Sequence, residues 1–159
     1  MPTGRPRPDG AFPKAVSRIT LTEGSVIMPE SVRQTILVVD DEDDIRTVVR
    51  QMLEGKGYAV LDAVDPHEAL RIAARQPVDL LLTDVVMPRM RGTELAQRLQ
   101  AVTPWTKVLL MSAYKISEIT DSGHPFIAKP FTPSALAEKV RQVLTAQPSP
   151  FTRRRPAPP

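Results

Sequence analysis

Five short apolar runs alternate with stretches of helical periodicity along the middle of this chain, and that alternation constrains the fold more than any other feature. Thr35–Val39 (TILVV) has the length and near-continuous apolar character of a strand buried on both faces. Ile45, Val48, Val49, Met52 and Leu53 then share one helix face, and Gly55 and Gly57 stop that helix. Residues 58–61 (YAVL) read as a second strand. Asp65-Pro66-His67-Glu68 is a helix start, with an acceptor at the N-cap, proline at the first helical position and glutamate at the third; Ala69, Leu70, Ile72 and Ala73 follow. Residues 78–82 make a third strand running into Thr83-Asp84, and Gly92-Thr93 opens a third helix carrying Leu95, Ala96 and Leu99. Residues 108–111 make a fourth strand ending at Ser112, and 125–128 a fifth ending at Lys129. Thr132-Pro133 caps a last helix with Leu136, Val140, Val143 and Leu144 inward. Strands alternating with helices imply right-handed crossovers and a parallel sheet covered on both faces, a three-layer α/β fold.

Charge and proline mark where that domain ends. The net charge is +3, but residues 35–146 hold thirteen basic and fifteen acidic residues, so the basicity lies outside them. Five of the 17 prolines lie in 1–34 and five in 147–159, where Arg153, Arg154 and Arg155 also sit. Both ends read as disordered tails flanking a domain at 35–146. Met28 opens MPESVRQ just ahead of the first strand and is a candidate translational start. The chain has no cysteine, which excludes disulfides, zinc–thiolate sites, iron–sulfur clusters and thiol nucleophiles. No run approaches the length of a membrane span and no secretory signal is evident, so a cytoplasmic protein is expected.

In parallel α/β sheets, ligands bind beyond the carboxyl ends of the strands. There the sequence puts Asp40-Asp41-Glu42 after the first strand, Asp84 after the third, Ser112 after the fourth and Lys129 after the fifth. Core packing asks for none of these. Clustered carboxylates repel, and a hard dication such as Mg²⁺ relieves that repulsion. A carboxylate beside such an ion is a nucleophile toward phosphorus, and an ammonium and a hydroxyl supply charge stabilisation for the transfer. Asp43 and Asp44 read instead as an acidic helix start favoured by the macrodipole. His67, His124 and the three tail arginines read as solvated, and Tyr58 and Trp105 as packing residues.

Residues 36–42 (ILVVDDE), Asp84-Val-Val-Met-Pro88 with Gly92, Met111-Ser-Ala113 and Lys129-Pro-Phe131 together resemble the receiver domains of two-component response regulators, of the single-domain chemotaxis type, over roughly residues 35–146. The resemblance implies a doubly wound, flavodoxin-like five-stranded sheet in the order 2-1-3-4-5. It implies that Asp84 is the phosphoacceptor, and that Asp41, Asp84 and the Val86 backbone carbonyl bind Mg²⁺, with Asp40 acting through a water. Lys129 would pair with the phosphoryl group or, before phosphorylation, with Asp84. Ser112 would bond a phosphoryl oxygen on switching, Phe126 matches the aromatic switch position, and Lys129-Pro130 is expected to be cis. Val86 and Tyr114 occupy the positions that set the lifetime of the phosphoryl group; neither can orient a water as an amide or carboxylate would, which implies slow hydrolysis.

Only 17 positions separate Ser112 from Lys129, fewer than the family pattern, so the helix between the fourth and fifth strands is expected to be shortened to about Ile116–Thr120. The implied partners are a sensor histidine kinase or histidine phosphotransfer protein and an unidentified downstream protein, and no DNA-binding domain is expected in the tails. Chemistry is expected on the chain's own Asp84 only, not as a turnover enzyme. Two other readings compete: a degenerate receiver acting as a phosphorylation-independent scaffold, and a phosphatase of the haloacid dehalogenase type using Asp41 within Asp41-Glu-Asp43.

Overall fold

A computed structural model describes residues 33–113 and 122–146. Its elements follow in the order β1 (Thr35–Val39), α1 (Asp43–Glu54), β2 (Ala59–Ala63), α2 (Pro66–Arg75), β3 (Leu80–Asp84), α3 (Gly92–Val102), β4 (Lys107–Ser112), β5 (Phe126–Ala128) and α4 (Pro133–Thr145). The strands form one parallel sheet in the order β2-β1-β3-β4-β5, as expected.

Strand periodicity sorts the core into two layers. Successive side chains leave a strand on opposite faces. On one face Leu37, Val39, Leu81 and Leu110 pack with Ala69 of α2 and Leu95, Ala96 and Leu99 of α3. On the other, Ile36, Val38, Leu80, Leu82, Leu109 and Met111 pack with Val49 and Leu53 of α1 and Leu136, Val140 and Val143 of α4. Each fully buried leucine or isoleucine contributes roughly 1.5–3 kcal/mol, so the sheet is held by its own apolar runs pressed between two helix pairs.

The helix starts behave as their residues dictate. The Asp65 carboxylate accepts the Glu68 N–H at 2.8 Å, and the Thr132 hydroxyl accepts the Ala135 N–H at 3.1 Å. Strand boundaries differ from expectation: β2 runs on to Ala63, β4 spans Lys107–Ser112, and three strands start later than expected. Tyr58 lies outside β2 because its N–H bonds Leu53 O, closing the turn after α1 in which Gly57 takes φ 91°. Val78 and Asp79 precede β3; the Asp79 carboxylate accepts the Thr35 N–H at 2.8 Å instead. Pro125 precedes a β5 of three residues, although its carbonyl still accepts the Leu110 N–H at 3.0 Å. His124, expected in solvent, is partly buried, and burial pushes its imidazole below the usual range.

The shortened helix expected at Ile116–Thr120, Tyr114, Met28 and nearly all of both tails lie outside the described residues. The crossover from β4 to β5 comprises the thirteen residues 113–125, about the minimum that a parallel connection needs. No helix among the described residues is long and apolar enough to cross a membrane.

Candidate functional site

The strand order reverses direction between β1 and β3: the chain leaves β1 toward β2 and returns on the other side as β3. A crevice therefore opens beyond the carboxyl ends of these two strands. Asp40 and Asp41 follow β1 there, and Asp84 is the last residue of β3. One carboxylate oxygen from each lies within 4.8 Å of the others. Asp40 is fully buried, the Asp84 side chain is 13% exposed, and Asp41 faces solvent.

Lys129 enters from the end of β5. Its ammonium lies 2.9 Å from Asp40 Oδ2 and 3.5 Å from Asp84 Oδ2. The shorter contact is to Asp40, so the lysine bridges the two acids rather than pairing with Asp84 alone. Asp40 Oδ1 accepts the Glu42 N–H at 2.9 Å, which leaves the buried carboxylate bonded on both oxygens. The Lys129-Pro130 bond is cis. Lys129 N–H donates to Ser112 O at 2.8 Å, tying β5 to β4 at the level of the site. Ser112 is buried at the end of β4, beside Met111, which pairs with Asp84 in register. Phe126 is partly buried and packs on the Leu110 layer, one strand length from Lys129.

The loop after β3 wraps closely around Asp84. Val86 is 45% exposed, and its N–H lies 3.5 Å from Asp84 Oδ1. Gly92 N–H donates to Val85 O, and a Cβ on Gly92 would lie 2.0 Å from the Asp84 carbonyl oxygen. Only glycine permits the start of α3 to approach the backbone of Asp84 so closely. Between them Arg89 adopts φ 72°, a left-handed conformation uncommon for a long side chain.

Burial, the largest effect, raises the Asp84 carboxyl above its ordinary value; the Lys129 charge opposes this and the Asp40 charge adds to it. For Lys129, burial disfavours the charged form, but the Asp40 hydrogen bond and charge, followed by those of Asp84, outweigh it and raise the ammonium. Among the described residues, three carboxylates against one ammonium leave two negative charges uncompensated, the charge of one divalent cation. An all-oxygen donor set of this kind suits Mg²⁺.

The residues expected after β1, β3, β4 and β5 are thus brought to one end of the sheet, with Tyr114 outside the described residues. One neighbour was not foreseen from sequence: Arg46 on α1 donates Nη1–H to the Asp40 carbonyl oxygen at 2.7 Å. Its only signal is an i,i+3 pairing with Asp43.

The family model for the response regulator receiver domain matches residues 36–141. The chain is 33% identical over 147 residues to the sensor kinase CckA of Brucella abortus, an alignment covering 88% of this chain and 15% of that kinase. It is 32% identical over 114 residues to the alkaline phosphatase synthesis transcriptional regulatory protein PhoP of Bacillus subtilis, covering 69% of this chain and 48% of that regulator. The chain thus spans about half the length of that regulator, and far less of the kinase. Among solved structures, the receiver domain of the hybrid histidine kinase CckA is 37% identical with a TM-score of 0.62, covering 70% of this chain and 99% of that one. The chemotaxis protein CheY4 of Vibrio cholerae is 30% identical with a TM-score of 0.67, at 70% and 98% coverage. The response regulator TrrA of Thermotoga maritima, solved in complex with Mg(2+)-BeF, is 31% identical with a TM-score of 0.64, at 69% and 98% coverage. By its sheet order, by the acids and lysine at its strand ends and by this family match, the chain belongs to the response regulator receiver domain family.

Proposed function

We propose that this chain accepts a phosphoryl group on Asp84 from a sensor histidine kinase or histidine phosphotransfer protein in the cytoplasm, and signals by protein–protein contact. The observation that carries the reading is the Asp84 carboxylate grouped with Asp40 and Asp41, 3.5 Å from the Lys129 ammonium. An Asp84 oxygen forms the new P–O bond as the P–N bond of the donor's phosphohistidine breaks, and the departing imidazole keeps the nitrogen electron pair. Lys129 balances charge on a phosphoryl oxygen, and its contact to Asp40 keeps it at the site beforehand. Ser112 supplies a hydroxyl to another phosphoryl oxygen, and Phe126 follows as the aromatic switch.

Asp41, Asp84 and the Val86 carbonyl are the groups to hold Mg²⁺, with Asp40 acting through a water. When bound, the ion neutralises charge on the phosphoryl oxygens. The exposed, apolar Val86 side chain has no group to orient an attacking water, which supports slow hydrolysis of the phosphoryl group. The chemistry ends on the chain's own carboxylate and turns over no separate substrate. The phosphatase reading is less well supported: Asp41 is solvent-exposed, and Asp43 is ion-paired with Arg46. Intact mass after incubation with acetyl phosphate is the test. One added phosphoryl group, dependent on Mg²⁺, is expected; no adduct under conditions that label a control receiver would favour the scaffold reading.

A further inference from the structure

We propose that Arg46 is a positioning residue that presets the Mg²⁺-binding loop by fastening the peptide between Asp40 and Asp41. The inference rests on the reading of the three carboxylates as a Mg²⁺ site. Asp40 is held from two sides. Within the site its carboxylate oxygens engage Lys129 and the Glu42 N–H. From outside the site, Arg46 Nη1 donates to its main-chain carbonyl at 2.7 Å. The same guanidinium pairs with Asp43 in the first turn of α1 and lies 3.6 Å from Asp62 of β2 through Nε. The Arg46 side chain is only 12% exposed, and its N–H closes the first turn of α1 on Glu42 O. One side chain therefore fastens the loop to both a helix and a strand. The planar, forked guanidinium reaches the Asp40 carbonyl through Nη1 and the Asp43 carboxylate through Nη2, while Nε makes no hydrogen bond and meets Asp62 only as an ion pair; a lysine ammonium on its single stem does not match the fork.

The carbonyl that Arg46 holds belongs to the peptide that leads into Asp41. Asp41 is exposed, and its carboxylate makes no side-chain hydrogen bond among the described residues. The direction in which it leaves the backbone is set by the peptides on either side, one held at the Asp40 carbonyl by Arg46 and the other at the Glu42 N–H by the Asp40 carboxylate. Repulsion among the three acids drives the loop outward when no cation is bound, and Arg46 opposes the movement without entering the site. Arg50 is the natural control. It pairs with Asp62 at 2.6 Å and with Glu54, but touches nothing in residues 40–42.

Titration calorimetry with Mg²⁺ on the full chain tests this, comparing wild type, Arg46→Met, Arg46→Lys and Arg50→Met. Loss of a group that orients a metal ligand typically weakens metal binding about 10–100-fold, and Arg46→Met is expected near the lower end. Arg46→Lys keeps the charge but loses the fork and is expected to bind several-fold more weakly; Arg50→Met is expected within about twofold of wild type. The Mg²⁺ concentration giving half-maximal phosphorylation by acetyl phosphate should rise by the same factor, while the rate at saturating Mg²⁺ stays near wild type. A merely structural role would lower the melting temperature and leave that half-saturation point unmoved. Wild-type affinity in folded Arg46→Met, or an equal loss in Arg50→Met, overturns the inference. If Arg46→Met does not fold, wild-type affinity in Arg46→Lys overturns it. Failure of the wild type itself to bind Mg²⁺ would instead remove the reading of the site, and this inference with it.

Discussion

Replacing Lys129 by methionine should destabilise this domain far more than loss of a surface lysine. The ammonium sits 2.9 Å from a carboxylate with no exposure and 3.5 Å from a second, and is itself 14% exposed. Methionine keeps the stem packing but removes the only cation paired with the Asp40 and Asp84 carboxylates among the described residues. Breaking a buried pair from one side costs about 3–5 kcal/mol because the remaining charge stays buried without compensation. The crevice is partly open, which favours the lower end, about 3 kcal/mol; for a domain of this size that is a fall of roughly 10–20 °C in melting temperature. Urea unfolding without metal is the assay, with the midpoint moving and the slope unchanged. Asp40→Asn on the Lys129→Met background removes the stranded charge while its side-chain oxygen still accepts the Glu42 N–H, and should recover more than half of the loss. A loss below about 1 kcal/mol, or simple additivity of the two substitutions, would refute the argument that Lys129 neutralises Asp40.

Asp84→Asn should stabilise the metal-free protein at neutral pH by on the order of 1–2 kcal/mol, since it removes one of three clustered charges. Because folding raises the Asp84 pKa, chiefly through burial, ionised Asp84 works against folding. The stabilisation should therefore be present at pH 7 and fade as the pH falls through the carboxylate range, where wild-type Asp84 protonates; denaturation at several pH values checks this. Gly92→Ala drives a Cβ against the Asp84 carbonyl, so it should cost about 1–3 kcal/mol by thermal melt and slow phosphorylation together. Arg89→Asn should stabilise by roughly 0.5–1 kcal/mol, because asparagine tolerates the left-handed backbone better; an unchanged melting temperature would count against strain there.

What could be read in advance follows from which signals are local. β1, β3 and β4 are legible because strands buried on both faces are apolar at nearly every position, and the acids and serine at their ends, with the lysine after β5, stand out by having no packing role. Thr132-Pro133 and Asp65-Pro66 declare their helices through capping chemistry alone. The edges of strands are less legible. Tyr58 looks like strand, yet the turn after α1 claims its N–H, and Val78 is apolar yet lies before β3. Contacts between side chains distant in sequence are illegible: nothing local announces that Lys129 sits nearer Asp40 than Asp84, 89 positions away from the former. The buried guanidinium of Arg46 on a main-chain oxygen is equally silent, because an arginine on a charged helix looks like an exposed one.

The most direct test of the account is the identity of the residue that carries phosphate. Reducing the acetyl-phosphate-treated, Mg²⁺-loaded chain with borohydride converts an aspartyl phosphate to homoserine, and peptide mass spectrometry then locates the change. The account predicts homoserine at position 84 alone. Homoserine at position 41, or no conversion while a control receiver is converted, would contradict it.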